Sequence, residues 1–492
     1  MARLDPCRPV PADRVTQWQA EADVVVVGLG AAGCSAALEA AHAGAEVLAL
    51  ELGGGAGGTT ALAGGLIYLG GGTPVQQACG IEDHPEDMYR YVLASAGPNA
   101  DEEKVRRYCE GSLEQYAWLE AMGVEFNPVY YPEKDTNTPG EEGLIYSGNE
   151  ACTDYAELAR PAPRGHKPRA PGEGGGAALI EALMTALAET SARVLCNARV
   201  LTTILDGRRV VGVMARIDGQ IQAIRARRGV ILCAGGFIFN ETMLHQHAPW
   251  LARINTPLGN PGDDGTGIRL GQGAGGNAIN MNEGFVCLPF YPPASHVRGI
   301  MVNGQGQRFV NEDCYHGQMG RQALQQRNGQ VYLIVDGSLY QETPDYANMP
   351  ILQAAETVAE LESDLGLPAH TLSHTLALYN EHAARGEDPL FGKHADYLQP
   401  LVEPPYVALD CRVQAGGCMY SGFTFGGLDT RYSGEVLTAC GEVVPGLYAA
   451  GRNAAGVPRS GESYASGLSI GDAIFSGRWA GRSAAAGEAG EH

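Results

Sequence analysis

Val24-Val25-Val26-Val27 runs directly into Gly28-Leu29-Gly30-Ala31-Ala32-Gly33, and eighteen residues after the last of these glycines a second apolar run, Val47 to Leu50, ends on Glu51. A strand, a Gly-x-Gly-x-x-Gly turn, a small-residue helix from Cys34 to Ala43 and a second strand closed by a carboxylate predict a dinucleotide-binding βαβ unit. Gly28 permits the tight turn out of the strand, Gly30 lets the backbone approach a pyrophosphate, and Gly33 allows close packing of helix on strand. The helix start supplies N–H donors and the positive end of its dipole. Glu51 is placed to accept from a ribose 2′-hydroxyl; because a carboxylate repels a 2′-phosphate, FAD or NAD is favoured over NADP.

At 492 residues the chain is too long for one simple core, and two or three domains are expected. The net charge of −22 argues against nucleic acid and anionic membrane surfaces as partners. Met1 to Val15 is polar and proline-broken, and no run of about eighteen apolar residues follows, so no stable membrane insertion and a cytoplasmic location are expected. The twelve cysteines form no CxxC, and several end apolar runs such as Val230-Ile231-Leu232-Cys233, which reads as small core residues in a reducing compartment. His245 and His247 form a His-x-His without a carboxylate or cysteine at matching spacing, so no metal site is expected.

Residues 53–72 are too glycine-rich for regular structure and read as a ligand-wrapping loop, whereas 83–122 carry apolar residues at helical spacing. The stretch 132–175 reads as loop, Ala178 to Ala188 as helix, Arg193 to Cys196 as strand, and Val200 to Leu205 with Val210 to Ile217 as a hairpin turning at Asp206-Gly207. Gly229 to Cys233 is a buried strand running into Ala234-Gly235-Gly236-Phe237. From about 277 to 403 aromatics and prolines increase, with a strand at Val331 to Val335 and a helix from Leu372 to Ala384. After Pro404-Pro405 the chain returns through Tyr448-Ala449-Ala450-Gly451 to a final helix from Leu468 to about Ala486.

The dinucleotide fingerprint, Gly57-Gly58-Thr59-Thr60 with Gly64-Gly65, Ala234-Gly235-Gly236-Phe237, Gly262-Asp263-Asp264-Gly265-Thr266-Gly267, Arg308-Phe309-Val310-Asn311-Glu312 and Tyr448-Ala449-Ala450-Gly451 together resemble the fumarate reductase and 3-ketosteroid dehydrogenase family of FAD flavoproteins. The resemblance implies an α/β fold: a discontinuous Rossmann-type FAD-binding domain (GR2-like), residues 1–276 and 404–492, interrupted by an α+β substrate or capping domain at 277–403. Relatives with covalent flavin carry a histidine before the threonine of the glycine-rich loop; Gly58 stands there, so noncovalent FAD is expected. Besides Gly28, Gly30, Gly33 and Glu51, the resemblance implies cofactor contacts from Ala32, Gly58, Thr59, Thr60, Gly64 and Gly65. It further implies them from Val200, Ala234, Gly235, Asp264 and Gly451, and from Leu468, Ser469 and Ile470 at the start of the last helix. Arg452 stands where many relatives carry another polar residue beside the flavin.

Fumarate enzymes hold substrate carboxylates with a histidine and an arginine; Phe423 and Tyr464 stand in the corresponding stretches. A dicarboxylate would lose its partners there, so an apolar ketosteroid is the implied substrate. Gly461 to Asp472, Gly64 to Gly72 and Asn311 to Tyr315 look most like 3-ketosteroid Δ4-(5α)-dehydrogenases, and a Tyr-Pro-Gly-x-Gly turn usual in Δ1 enzymes is missing. Such a reaction removes a proton alpha to the ketone and passes a hydride to the flavin, and it needs donors for the enolate oxygen and a base. The resemblance gives Tyr464 with the Gly467 N–H as the donor pair and Tyr315 with Ser466 as the proton-abstracting pair, with Tyr68 and Phe423 as walls. Asp263, Asp264 and Thr266 read as helix-capping or cofactor-holding residues. A separate electron acceptor is implied; its identity and the oligomeric state stay open. The competing readings are a Δ1-dehydrogenase, a flavin-dependent reductase of an activated alkene, and an FAD-carrying subunit or redox-inert binder.

Overall fold

The computed structural model describes residues 4–414 and 417–487. Its centre is a nine-stranded sheet in which Ala20–Val27 lies between Val47–Leu50 and the end of Gln220–Leu232, all parallel, with Val27 opposite both Leu50 and Leu232. Val24 to Val27 are buried because both faces are covered, Val24 and Val26 by the core of the helices Ala31–His42 and Leu468–Ala486, and Val25 and Val27 by Ala198, Val200, Val210 and Val213 of the antiparallel strands, and this explains an apolar run without alternation. Gln220–Leu232 is shared: its first half pairs antiparallel with Arg209–Ile217, and its last residues pair parallel with Val443–Ala449. The hairpin expected at Asp206-Gly207 is present, with Arg209 opposite Asp206. Val27, Leu50, Leu232 and Ala449 therefore finish at one edge of the sheet, where the chain continues as Gly28, Glu51, Cys233-Ala234-Gly235 and Ala450-Gly451. In open α/β sheets this carboxyl-end crevice is where ligands bind.

Gly28 adopts φ +93°, and a Cβ there would stand 2.6 Å from the Cys233 carbonyl oxygen, so the turn out of the first strand accepts only glycine. The helix Ala31–His42 packs along the C-terminal helix Leu468–Ala486. Gly477 and Gly481, one turn apart on that helix, permit the contact: a Cβ at either would lie 2.3 or 2.4 Å from the carbonyl oxygens of Ala32 and Ala36.

Two stretches read as loop carry short elements. Residues 53–72 hold a 3-10 turn, Thr60–Leu62, and the strand Ile67–Tyr68; the stretch 132–175 holds Leu144–Ile145, Gly165–His166 and the short helix Thr153–Ala156. With Tyr130–Tyr131 the strands make a four-stranded sheet of two-residue pieces, too short to leave a period in the sequence. The ion pair of Arg164 with Asp83, with both side chains fully buried, ties this sheet to the segment before the helix Pro85–Ala96.

The stretch after 277 builds its own sheet in the order Ile300–Asn303, Val331–Val335, Tyr406–Asp410, Ile351–Ala355, antiparallel throughout, with the helices Val358–Asp364 and Thr371–Ala383 against it. Gly284–Cys287 pairs antiparallel with Ser421–Thr424. Strand pairing with this stretch thus continues beyond 403, to Thr424.

Candidate active site

The crevice at the sheet's carboxyl edge opens into a cavity of about 700 Å³ that extends under the 284–424 unit. Gly28, Gly30, Ala32, Glu51, Gly58, Thr59, Thr60, Gly64 and Gly65 line it from the fingerprint and the glycine-rich loop. Val200, Ala234, Gly235, Asp264, Gly451, Ser469 and Ile470 line it from the other strand ends and the last helix. Gly33 and Leu468 do not reach its surface. Gly33 is pressed against the Gly28 carbonyl oxygen, which a Cβ would meet at 1.8 Å, and Leu468 is buried among aromatic rings.

The lining fits FAD. Glu51 is buried, and its two carboxylate oxygens accept the Leu29 N–H at 2.8 Å and the Gly53 N–H at 2.7 Å, a fixed geometry with lone pairs left for ribose hydroxyls. Thr60 Oγ accepts the Ala31 N–H at 3.1 Å at the start of the fingerprint helix. At the opposite end the Ser469 side chain lines the cavity beside the Tyr464 phenol, where a polar ligand edge can also meet it. Asp264 accepts the Thr266 N–H, the first of the helix Thr266–Gly273, at 2.9 Å while facing the cavity.

Aromatic side chains fill the end of the cavity under the 284–424 unit. Phe285 lies 5.1 Å from Phe423 and 4.9 Å from Tyr464, ring centre to ring centre, and Cys287, Pro289 and Met419 extend the apolar wall. The Tyr464 phenol oxygen accepts the Ser469 N–H at 3.2 Å and also faces the Gly467 N–H. Burial raises its pKa; the Ser469 hydroxyl, then the Ser469 N–H, the nearby Arg452 and the Gly467 N–H oppose the rise without cancelling it. Its proton therefore stays on and is free to be donated into the cavity.

Tyr315 and Ser466 meet hydroxyl to hydroxyl. Ser466 lines the cavity, whereas Tyr315 lies behind it, almost wholly buried, with its pKa raised well above 10 by burial and pulled back by the Ser466 bond. Neighbours absent from the sequence reading hold the pair: the Ser466 N–H donates to the Ser147 carbonyl at 2.7 Å, Ser147 Oγ donates to the Ser466 carbonyl at 2.8 Å, and the Tyr315 N–H donates to Asn149 Oδ1 at 2.7 Å. Tyr68, read as a wall, does not line the cavity. Its strand turns the ring towards Tyr91, its hydroxyl donates to Glu150 at 3.1 Å, and only its main chain touches the site, through a 3.1 Å bond from its N–H to the Gly467 carbonyl.

Two further residues on the cavity wall carry chemistry. His316 lies against Tyr315 with ring centres 3.8 Å apart and ring planes 43° apart; burial, then the Lys134 ammonium, lowers its pKa to about 3, so it is a neutral imidazole. Its position next to Tyr315 in sequence was the available signal. Arg452 bonds Asp263 at 2.6 Å and stands 5.2 Å from the Phe423 ring centre, while Thr59 Oγ donates to the same Asp263 oxygen at 2.6 Å. His245 and His247 sit apart on the helix Glu241–His247, with His245 Nδ1 on the Glu241 carbonyl at 2.8 Å.

Residues 23–467 match the FAD binding domain family. The 3-oxo-5-alpha-steroid 4-dehydrogenase of Comamonas testosteroni is 31% identical over 509 aligned residues, which cover 89% of this chain and 94% of that protein. The vinyl phenol reductase of Lactiplantibacillus plantarum is 28% identical, covering 94% and 96%. Among solved structures, the 3-ketosteroid-Δ4-(5α)-dehydrogenase of Rhodococcus jostii RHA1 in complex with 4-androstene-3,17-dione superposes with a TM-score of 0.92 at 45% identity, covering 97% of this chain and 99% of that one. A flavocytochrome c3 fumarate reductase superposes at 0.68 with 26% identity, covering 95% and 78%. The chain is an FAD-dependent oxidoreductase and belongs to the FAD-binding flavoprotein family of the fumarate reductases and 3-ketosteroid dehydrogenases.

Proposed function

We propose that this enzyme desaturates 3-keto-5α-steroids between C4 and C5, giving 3-keto-4-ene steroids. The observation that carries the reading is the pairing of a proton-retaining Tyr464 phenol with the Tyr315–Ser466 hydroxyl pair at the aromatic end of the cavity. The near full-length likeness to a Δ4-(5α)-dehydrogenase supports it.

In this reading Tyr464 Oη donates to the substrate's 3-keto oxygen, together with the Gly467 N–H. The Ser469 N–H already bound to Tyr464 makes the phenol a stronger donor as charge grows on that oxygen. Ser466 Oγ takes up the C4 proton and passes one to Tyr315, whose phenol must be ionised at that moment. Phe285, Phe423, Cys287 and Met419 exclude water, so the enolate depends on these donors alone. FAD, when bound, supplies the acceptor for the hydride leaving C5. The donors hold the developing enolate while the neighbouring carbon loses that hydride; Tyr464 keeps its proton throughout, and the C4 proton ends on Tyr315, to be lost to solvent before the next turnover.

Among the described residues the substrate end carries no lining Lys, and His316 is held neutral, so of these only Asp263-bound Arg452 would pair with a dicarboxylate. All twelve cysteines are free, which supports a reducing, cytoplasmic setting, and no helix among the described residues is long and apolar enough to cross a membrane. Electrons leave to a separate acceptor. Incubating the holoenzyme anaerobically with a 3-keto-5α-steroid tests the reading: flavin bleaching and a 4-ene product support it, and no bleaching overturns it.

A further inference from the structure

Arg452 follows the Ala450-Gly451 strand end and lines the cavity beside Ser469, Ile470 and Ala473 of the last helix. Its side chain is only 16% exposed. The other lining arginine, Arg199, is 48% exposed, holds Asp264 at 3.4 Å and sits beside Val200, so solvent screens it. Among the described residues that line the cavity, Arg452 is thus the buried cation.

Its partner cannot move away. Asp263 receives Thr59 and Arg452 on Oδ2, and a Cβ at Gly235, whose φ is +78°, would stand 1.8 Å from Asp263 Oδ1. A Cβ at Gly259 would stand 2.5 Å from Oδ2. The carboxylate is clamped between two backbones that accept only glycine. Its clamp fixes the guanidinium in turn, 5.2 Å from the Phe423 ring centre.

Reduction adds electrons, and at neutral pH net negative charge, to a bound flavin. A fixed cation in a poorly solvated cavity favours that form over the oxidised one, and a carboxylate opposes it. We propose that Arg452 raises the reduction potential of the flavin bound in this cavity, and that Asp263 attenuates the effect while holding the guanidinium in place. The inference rests on FAD binding and not on the choice of steroid.

The test is the midpoint potential of the holoenzyme, measured without steroid by anaerobic equilibration against reference dyes, for wild type, R452Q, R452K and D263N. R452Q is expected to shift the bound flavin's redox equilibrium at least tenfold towards the oxidised form, about 30 mV for a two-electron couple. R452K, which keeps the charge, stays within threefold of wild type, and D263N shifts at least threefold towards the reduced form. A merely structural role would move R452Q and D263N in the same direction; that result, or an R452Q value within threefold of wild type, overturns the proposal. If R452Q does not retain flavin, D263N decides it: a potential no higher than wild type overturns the proposal. Because no steroid is present, failure of the substrate assignment leaves this measurement unaffected.

Discussion

The hydroxyls of Tyr315 and Ser466 are bonded to each other across 151 positions of sequence. Tyr315 precedes the helix His316–Gln325 of the inserted stretch, and Ser466 lies in the turn before the helix Leu468–Ala486. The pair exists only while these two segments are packed together, so in the proposed mechanism proton uptake depends on that packing.

Burial raises the phenols of both Tyr315 and Tyr464 above 10. In the proposed mechanism Tyr315 is the base and must lose its proton to work, so the rate of steroid-driven flavin reduction should climb as pH rises from neutral. In the same mechanism Tyr464 keeps its proton, and burial, which raises its pKa, favours that form at neutral pH. Stopped-flow reduction rates against pH should show this rise in wild type and a flat profile, roughly 10²–10³-fold lower, in Tyr315→Phe.

Tyr464→Phe keeps the ring among Phe285, Phe423 and Phe425 and deletes only the donor. Losing a donor to a developing oxyanion costs about 3–4 kcal/mol. The variant should remain folded and yellow while reduction slows by roughly 10²–10³, and a near wild-type rate would make Tyr464 a wall residue.

The parts of the site legible in sequence are those in which the backbone does the work. Gly28, Gly30 and Glu51 follow from what a strand-turn-helix must do around a phosphate and a ribose, and such demands leave spacing behind. Tyr68 and Leu468 show the limit: their neighbours touch the cavity, but a two-residue strand and a helix start give no period from which to tell which way a side chain points. Ser147 and Asn149 lie in a Pro/Gly-rich stretch whose contacts with Ser466 and Tyr315 span 319 and 166 positions, so nothing local announces them. Arg452 was visible as an unusual residue, but its partner Asp263 is 189 positions away and only the fold joins them.

FAD should be removable without breaking a covalent bond, since Gly58 occupies the place of the flavin-linking histidine in covalent relatives. Acid precipitation should release all the yellow colour into the supernatant; flavin left in the pellet would contradict this. Glu51→Ala removes the carboxylate that Leu29 and Gly53 orient, and should weaken FAD retention on dilution at least tenfold while leaving the apoprotein folded.

Asp83 is held below the ordinary carboxylate range: burial opposes ionisation, but the bidentate Arg164 bonds at 3.0 and 2.7 Å outweigh it. Its contribution to stability is therefore present above about pH 4 and is lost as pH falls through the depressed folded-state value. Asp83→Ala leaves Arg164 buried and unpaired, and should cost about 3–5 kcal/mol in denaturant unfolding at neutral pH. Gly481→Val forces side-chain atoms against the Ala36 carbonyl and should cost about 1–3 kcal/mol, with a lowered Tm.

The measurement that bears most directly on the account is product identification after one anaerobic turnover with the 5α-saturated counterpart of 4-androstene-3,17-dione. The account predicts stoichiometric bleaching of the flavin and a steroid whose new double bond lies between C4 and C5 by NMR. A 1-ene product, or bleaching by succinate at a rate comparable to that with the steroid, would contradict it.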